Sequence, residues 1–471
     1  MPPDRSSEHR SSDKRSSNDR SSSDPKTPEQ PREGSLDAPT RHPLDWTADS
    51  FWDEAALNAE LERVFDICHG CRRCVSLCEA FPTLFDLVDA SPTLEIDGVD
   101  PSDYRAVVDQ CYLCDLCFQT KCPYVPPHEW DVDFPHLMLR AKAVRFRQHK
   151  PPLRQRVLSA TTAVGRLASI PVVAGTINAA ARSPSMRRML EKTLGVHRDA
   201  RLPEYHSATL KKRMNKRTAL DAKAEPLPPT RGRVALFATC YCSVNAPDIA
   251  EDLVRVLEHN GVPVRLVDRE TCCGMPRYEQ GNLEAVDRAR RINIPQLVEL
   301  IDEGHDILAA IPSCVLMFKQ ELPLMYPQDA DVQKVKAHIF DPFEYLALRH
   351  KAGGLDTDFK RSLGRVAWHA ACHQRVQNIG GRTREILELV PDTTVTPVER
   401  CSGHDGTYGV RVESHAASKK IARGTVRRLE RVEFDRFASD CPMAAAHLAD
   451  ELELEHPETN PITLLRIAYD L

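Results

Sequence analysis

Two closely spaced runs of cysteines are the most informative feature of this chain: CHGCRRCVSLC at residues 68–78 and CYLCDLCFQTKCP at residues 111–123. Each places three cysteines at every third position and a fourth after a longer gap, followed by proline in the second stretch. Three thiolates at this spacing can hold three corners of one 4Fe–4S cube, and the fourth reaches a second cube. Tetrahedral zinc sites instead use paired C-x2-C knuckles set further apart. The spacing therefore predicts two 4Fe–4S clusters and electron transfer.

The same spacing predicts which run supplies each ligand. The first cube takes three thiolates from the first run and one from the second: Cys68, Cys71, Cys74 and Cys122. The second cube takes the converse set: Cys111, Cys114, Cys117 and Cys78. Apolar residues at helical spacing over 51–65 lead into the first run. We therefore expect an α-helical, ferredoxin-like domain over residues 46–133.

Composition limits the remaining possibilities. Sixteen cysteines among 471 residues, with no secretory signal, argue against a disulfide framework. Such thiols are typical of metal sites in a reducing compartment, so we expect a cytoplasmic protein. The sequence has no run of about eighteen apolar residues and so predicts no membrane span. Residues 1–45 are rich in Ser, Arg, Asp and Pro, which predicts a disordered tail, with a docking arm as the alternative.

Residues 134–230 are predicted to form a basic helical connector. No acidic residue occurs between positions 134 and 190, and the apolar segment 157–181 is interrupted by Gly165 and Pro171. A broken apolar helix among cations suits the surface of an anionic membrane. A solvated connector between domains is the alternative. Nucleic-acid binding is disfavoured, because few aromatic residues that could stack on bases accompany the cations.

The rest of the chain is predicted to be two copies of one α/β unit, over residues 231–350 and 360–471. Cysteines follow predicted strands in both copies, and parallel α/β sheets place ligand sites at the carboxyl ends of their strands. Helices are predicted at 247–260, at 283–302 and in an amphipathic stretch that ends near 431. The predicted strands are 233–240, 262–268, 271–274, 306–314, 365–372, 393–403 and 437–444.

Four cysteines of the first copy can converge at one strand-end crevice: Cys240, Cys272, Cys273 and Cys314. Adjacent side chains diverge, so Cys272 and Cys273 cannot fill two corners of one cube, but they can serve two irons of an open cluster. Gly274 lets the backbone approach the sulfurs. An additional iron–sulfur cluster is predicted here, with buried structural thiols as the alternative. Cys242 is left without a role.

The second copy has fewer candidate ligands. Ser402 and Ala444 stand where the repeat would have cysteine. The matching thiols that remain are Cys372, Cys401 and Cys441. They could hold a cluster with one open iron, or with a histidine as a further ligand, and the candidates are His369, His373 and His404. A second copy without a cluster is the alternative.

These motifs resemble the C subunits of anaerobic glycerol-3-phosphate dehydrogenases and, more broadly, the heterodisulfide-reductase-related iron–sulfur oxidoreductases. That family repeats a cysteine, then Cys-Cys-Gly, then C-x2-C (the CCG domain), and this chain departs at Ile311, Ser402 and Ala444. The resemblance implies a bacterial electron-transfer subunit on the cytoplasmic membrane face, between a flavin-containing dehydrogenase and quinone. The matching motifs are residues 128–143, VALFATCY (234–241), TCCGMP (271–276), CSGHDGTYGV (401–410) and PITLL (461–465).

Three functions are compatible with the sequence. In the first, the two cubes relay electrons from a flavin-type partner to the Cys240–Cys314 site and on to a quinone or a thiol/disulfide acceptor. In the second, the chain is a stand-alone reductase of a disulfide or persulfide, with Cys272 and Cys273 as catalytic residues. In the third, it is a cluster-bearing sensor or a scaffold. No Gly-x-Gly-x-x-Gly follows a predicted strand, so a partner is expected to supply the electrons.

Overall fold

The structure is a computed structural model that describes residues 39–120, 122–149, 153–217, 225–454 and 459–471. Positions 1–38 of the expected tail lie outside the described residues. From residue 39 the chain packs against the rest of the protein. The Thr40 amide donates to the carbonyl of Pro126 (3.0 Å), and the Leu44 amide donates to that of Leu324 (2.8 Å). The described structure therefore enters the packed core before position 46.

Short helices carry the two cysteine runs. Asp53 caps the first of them by accepting the Ala56 amide (2.8 Å), and this helix extends further than the predicted segment, into the first run. Behind the runs, the ring of Phe134 packs 6.1 Å from Phe65 and 4.7 Å from Phe81. The helices are α1 Glu54–Cys71, α2 Ala80–Asp89, α3 Tyr104–Gln110 and α4 Leu116–Thr120, with 3-10 turns at Asp49–Trp52, Ile96–Gly98 and Pro101–Asp103.

The connector is helical, as predicted. Pro171 starts a new helix, but Gly165 lies inside one, where a Cβ would come within 3.1 Å of Val244. Its helices are α5 Phe134–Gln148, α6 Leu153–Leu158, α7 Thr161–Ala168, α8 Pro171–Arg182, α9 Pro184–Leu194 and α10 Leu210–Met214. No single helix of the described residues is long and apolar enough to cross a membrane, although α7 and α8 together, bent by 106°, meet that criterion.

The predicted repeat is confirmed as two parallel sheets with helices on them. The first sheet has the strand order β2-β1-β3-β4, and the second has β6-β5-β7. The largest core of buried residues extends from the N-terminal helices through both sheets. The strands are β1 Val234–Leu236, β2 Val264–Leu266, β3 Asp306–Leu308, β4 Ile339–Phe340, β5 Gly364–His369, β6 Thr393–Val398 and β7 Arg436–Ser439.

Helices connect these strands in both repeats. Those of the first repeat are α11 Thr239–Val244, α12 Pro247–His259, α13 Met275–Tyr278, α14 Leu283–Asp302, α15 Pro312–Leu316, α16 Leu322–Met325, α17 Ala330–His338 and α18 Pro342–Lys351, with a π-helical turn at Met317–Glu321. Those of the second are α19 Cys372–Arg375, α20 Arg382–Leu387, α21 His415–Leu429, α22 Pro442–Glu451 and α23 Pro461–Tyr469, with a 3-10 turn at Tyr408–Val410.

The predicted strands were too long near the cysteines. β1 and β3 end at Leu236 and Leu308, and helices begin where 233–240 and 306–314 were predicted to stay extended. The predicted strand 271–274 is wrong, because a loop there leads into α13. At 233–240 and 306–314 a continuous apolar run covers both the strand and the buried turn after it, so hydrophobicity alone does not mark the strand end.

Candidate functional site

Four cysteines line one crevice at the end of α1: Cys68, Cys71, Cys74 and Cys122. The first two are one helical turn apart, and Arg72 then ends α1 in the left-handed conformation (φ 48°). Phe81 and Val132 form apolar walls of the crevice. Burial raises the pKa of the Cys68 thiol, and the neighbouring thiols raise it further. The crevice thus collects the cysteines that the spacing assigned to the first cube.

The other four cysteines of the two runs meet beside this group: Cys78, Cys111, Cys114 and Cys117. Burial raises the pKa of each of these thiols. Leu113 and Asp115 hold left-handed backbone (φ 57° and 60°), so their loop curls around the thiols. A non-glycine residue adopts this conformation at a cost of about 1–2 kcal/mol, which packing must offset.

A buried ion network fastens that loop to the first repeat. The Arg41 guanidinium contacts Asp115 (2.5 Å) and Asp133 (2.8 Å) and lies 3.7 Å from Glu321. His136 lies between Asp133 (3.1 Å) and Glu321 (3.4 Å). Burial alone would raise the pKa of Glu321, but the His136 hydrogen bond and the Arg41 charge hold it at about 2. No periodicity or motif in the sequence indicated this network.

Four of the five thiols of the first repeat form a row of contacts in the order Cys240, Cys272, Cys273 and Cys314. Contacts with its two neighbours hold the pKa of Cys272 well below the usual range. The adjacent side chains contact each other, and each also contacts one further thiol, Cys240 for Cys272 and Cys314 for Cys273, so the predicted divergence is not seen. Gly274 has φ 109°, which favours glycine. Helix α7 covers the row, where Thr162 Oγ1 accepts the Cys272 amide (2.9 Å).

The second repeat brings together three thiols: Cys372, Cys401 and Cys441. Burial raises the pKa of Cys372, and the two other thiols raise it further. The Gly403 amide lies 3.3 Å from the Cys401 sulfur. This glycine has φ 73°, and a Cβ on it would lie 2.1 Å from the Ser418 carbonyl oxygen. Ser402 and Ala444 are buried at the two positions where the repeat would have cysteine.

Among the histidines considered as further ligands, His369 is engaged by other groups, whereas the buried Nε2 atoms of His373 and His404 have no hydrogen-bond partner in the described structure. The Nδ1 and Nε2 atoms of His369 lie 2.8 Å from the Ser439 hydroxyl and 2.9 Å from the Arg400 carbonyl, so both ring nitrogens are engaged. The His404 ring packs 5.9 Å from that of His447. Of the three histidines given as alternatives, His369 could ligate a metal only if one of these hydrogen bonds were broken. His373 is buried, and its ring approaches the backbone of Leu113.

The second repeat lies against the group formed by Cys78, Cys111, Cys114 and Cys117. After burial, Cys372 and Cys401 contribute most to raising the pKa of Cys114, so these thiols lie within electrostatic reach of each other. The hydroxyl of Tyr112 lies 3.0 Å from the Cys401 sulfur. The sequence had instead suggested that the Cys240–Cys314 site receives electrons from the cubes. No motif or spacing indicated that Tyr112 joins the two cysteine groups.

Charged side chains lie where the two repeats approach each other: Lys142, Glu279, Asp405 and Arg411. Lys142 donates to the carbonyl of Cys111. A Cβ added to Gly406 would lie 2.8 Å from the Glu279 carboxylate. Glu279 therefore reaches the loop that carries Asp405. Burial raises the pKa of Asp405 to about 7, although Lys142 and Arg411 lower it. Burial and Asp405 hold the pKa of Glu279 well above its usual range.

The donor sets fit iron–sulfur clusters. All sixteen cysteines are free thiols, and the N-terminal ones gather in two groups of four, the first of which has apolar walls. Thiolates are the usual ligands of 4Fe–4S clusters. Within the described part of the chain, no group of three or more His, Cys, Asp or Glu side chains is arranged to hold a single metal ion.

Comparison with known proteins identifies the two repeats. The model of the CCG family, described as a cysteine-rich domain, matches residues 234–319 and 366–449. The chain carries two cysteine-rich domains. Each match begins at or within the first strand of its repeat, β1 or β5, and includes every cysteine of that repeat discussed above. The family resemblance predicted from the motifs is confirmed, because both repeats match the model of the cysteine-rich domain.

Curated relatives of the chain include proteins named as oxidoreductase subunits. The chain is 26% identical over 333 residues to the C subunit of anaerobic glycerol-3-phosphate dehydrogenase from Escherichia coli K12, covering 70% of this chain and 81% of that one. It is 27% identical over 246 residues to the B subunit of fumarate reductase (CoM/CoB) from Methanothermobacter marburgensis, covering 50% and 46%. It is also 26% identical over 223 residues to an iron–sulfur protein of Methanocaldococcus jannaschii, covering 47% and 42%.

Proposed function

We propose that this chain is an iron–sulfur electron-transfer subunit of a bacterial oxidoreductase. It would relay electrons between a flavin-containing dehydrogenase and a quinone or a thiol/disulfide acceptor. The observation that carries the proposal is the meeting of two groups of four free cysteines, the second of them against the thiols of the second cysteine-rich domain. Relatives named as dehydrogenase and reductase subunits support the same role.

The proposed ligand sets follow the cysteine groups. Cys68, Cys71, Cys74 and Cys122 would hold the first 4Fe–4S cluster, and Cys111, Cys114, Cys117 and Cys78 the second. Bound clusters would supply one-electron transfer. The protein would hold and orient them and exclude water, with Phe81 and Val132 as apolar walls of the first site. The accompanying domain division is 46–133, 134–230, 231–350 and 360–471.

Purification of the complex from its native cell without oxygen tests the proposal. We expect roughly eight or more irons per chain and a flavin-containing partner in stoichiometric amount. Photoreduction of that flavin should then reduce the iron–sulfur centres within the complex. Native protein that holds zinc and no iron would refute the proposal. Iron centres that stay oxidised while the flavin is reduced would refute the relay.

The first repeat favours a second candidate function, reduction of a disulfide or persulfide by this chain alone. Its observation is the row of four contacting thiols, in which Cys272 has a strongly lowered pKa and a thiolate is therefore favoured. We expect turnover with an artificial one-electron donor and no partner subunit. Cys273→Ala should abolish that turnover while leaving the iron of the N-terminal clusters in place. Turnover unchanged in Cys273→Ala would exclude the first repeat as its site.

We also propose that the bend between α7 and α8 rests on the inner face of the plasma membrane. Leu167, Ile170 and Val172 are 61%, 48% and 79% exposed there. Arg166 supplies a cation in the last turn of α7, whereas Arg182, at the end of α8, is paired with Glu204. Apolar side chains that enter an anionic interface, helped by neighbouring cations, are typical of peripheral membrane contacts.

Vesicle binding measures this contact. Leu167→Asp together with Val172→Asp should weaken binding to anionic vesicles by about a hundredfold or more, because burial of each of the two apolar side chains contributes about 1.5–3 kcal/mol. The matched control is Ile292→Asp, at an exposed apolar residue of α14 that is 51% exposed. It should bind as the unaltered protein does. Equal binding by the double variant and the control would contradict the membrane proposal.

A further inference from the structure

Tyr112 lies between two groups of cysteines, the second N-terminal group and the thiols of the second cysteine-rich domain. In the chain it follows Cys111, one of the thiols of the second N-terminal group. In space its hydroxyl lies 3.0 Å from the sulfur of Cys401, in the second cysteine-rich domain. The side chain is 5% exposed, so water is largely excluded from this contact. Among the residues that the structure describes, this is the hydrogen bond that directly joins the two groups.

The direction of that hydrogen bond follows from the chemistry of its partners. A cysteine that ligates iron is a thiolate and has no proton to donate. The phenol of tyrosine is protonated near neutral pH, because its ordinary pKa is about 10. The hydroxyl therefore donates and the Cys401 sulfur accepts. Hydrogen bonds to cluster sulfurs are among the factors that set the reduction potential of a cluster.

A second donor reaches the same sulfur. The Gly403 amide lies 3.3 Å from Cys401 Sγ, and a side chain at this position would collide with the Ser418 carbonyl. The second domain thus lacks the cysteine at position 402 but keeps the glycine that directs an amide to the remaining sulfur. A thiol that served only to fill the core would not require either donor.

The ring of Tyr112 is held in place by a second tyrosine. The rings of Tyr112 and Tyr408 lie 5.2 Å apart, and the Tyr408 hydroxyl donates to Gln110 Oε1 (2.5 Å). Tyr408 carries the same phenol in the same surroundings, but its hydroxyl bonds to an amide side chain rather than to Cys401. The two residues therefore form a matched pair for testing the role of the bond to sulfur.

We propose that Tyr112 sets the reduction potential of an iron–sulfur centre held by Cys372, Cys401 and Cys441, and makes that centre the electron acceptor of the second N-terminal cluster. The proposal rests on the electron-transfer function proposed above. Donation to the Cys401 sulfur stabilises the reduced, more negative centre and so raises its potential. With clusters bound, Cys372, Cys401 and Cys441 would hold the accepting centre, which would take one electron from the reduced N-terminal cluster, and the flavin-containing partner would replace that electron. Tyr112 keeps its proton throughout and acts as a positioning residue.

Redox titration followed by electron paramagnetic resonance tests this role. In anaerobically prepared full-length protein, the signal of the second-domain centre is the one that Cys401→Ser removes. Tyr112→Phe should lower the midpoint potential of that signal by about 59 mV, which corresponds to a tenfold lower equilibrium constant for its one-electron reduction. Tyr408→Phe should leave that potential unchanged, and both variants should keep the iron content of the unaltered protein.

Three results would overturn the inference. They are an unchanged potential in Tyr112→Phe, an equal decrease in Tyr408→Phe, and a Cys401→Ser variant that retains every signal. These results differ from failure of the proposed function, in which the unaltered protein itself would contain no iron. A protein whose N-terminal clusters titrate normally while Cys401→Ser changes nothing would keep the electron-transfer function and refute the role of Tyr112.

Discussion

Cys71→Ser should remove about half of the iron bound by the two N-terminal clusters, roughly four of about eight atoms per chain. Cys71 shares its crevice with Cys68, Cys74 and Cys122. In the proposed arrangement each cube has four thiolate ligands, and the serine that replaces Cys71 is a weaker ligand than a thiolate, so we expect that cube to be lost. The second group has its own four thiols and should keep its cube. Iron and acid-labile sulfide per chain, determined on anaerobically prepared protein, give the result.

Paired substitutions test how the two runs share their ligands. Cys71→Ser combined with Cys122→Ser should cost no more iron than either alone, because both thiols face the same crevice. Cys71→Ser combined with Cys78→Ser should remove both cubes, because Cys78 lies with Cys111 in the other group. If each run held its own cube, these two outcomes would be exchanged. The paired variants thus separate crossed ligation from ligation within each run.

The matched control is Cys242→Ser. Cys242 is fully buried, and the Thr239 hydroxyl accepts its backbone amide (3.2 Å). It belongs to neither of the N-terminal cysteine groups, and its substitution makes the same chemical change as Cys71→Ser. We expect both N-terminal cubes to remain. An equal loss of iron in the two variants would mean that any buried cysteine-to-serine change disturbs the clusters.

The features that were predicted correctly are those determined by residues close together in the sequence. The spacing of Cys68, Cys71 and Cys74 predicted one ligand group, and the alternation of helices and strands predicted the confirmed parallel repeat. Strand ends were less accurate, because the apolar run at 233–240 continues from β1 into the buried start of α11. Hydrophobicity reports burial, and both segments are buried.

Contacts between distant parts of the chain could not be predicted in this way. Tyr112 and Cys401 are joined only because the N-terminal helices pack on the second domain. Arg41 appeared to belong to a polar tail, since neither its neighbours in sequence nor any periodicity indicate burial. Its partners Asp115 and Glu321 lie far away along the chain. Such pairs depend on tertiary packing, which a single sequence does not specify residue by residue.

Arg41→Met should destabilise the protein by about 3–5 kcal/mol, because it leaves buried carboxylates without their counter-ion. The side chains of Arg41, Asp115 and Glu321 are 6%, 4% and 3% exposed. Asp133, their neighbour, would keep only His136 as a cationic partner. Methionine fills similar volume but cannot neutralise these charges. Urea unfolding of the anaerobically prepared protein measures the change in the free energy of unfolding.

The control is the same substitution at an exposed ion pair. Arg63 pairs with Glu60 on α1, and these side chains are 41% and 36% exposed. Solvent screens such a pair, so Arg63→Met should cost no more than about 1 kcal/mol. Similar losses in the two variants would show that the Arg41 network is no more important to stability than a surface contact.

The effect of Arg41→Met should grow as pH rises. In the native protein the pKa of Asp115 is raised to about 6, because the effect of burial exceeds the lowering by Arg41. Arg41 also helps to hold the pKa of Glu321 at about 2. Without Arg41 both values rise, so the folded variant binds more protons near neutrality than the folded native protein does. Stability falls with pH wherever the folded state binds more protons than the unfolded state. The difference in unfolding free energy should therefore be larger at pH 8 than at pH 6. A difference that does not change over this interval would mean that the carboxylates near Arg41 do not respond to its charge.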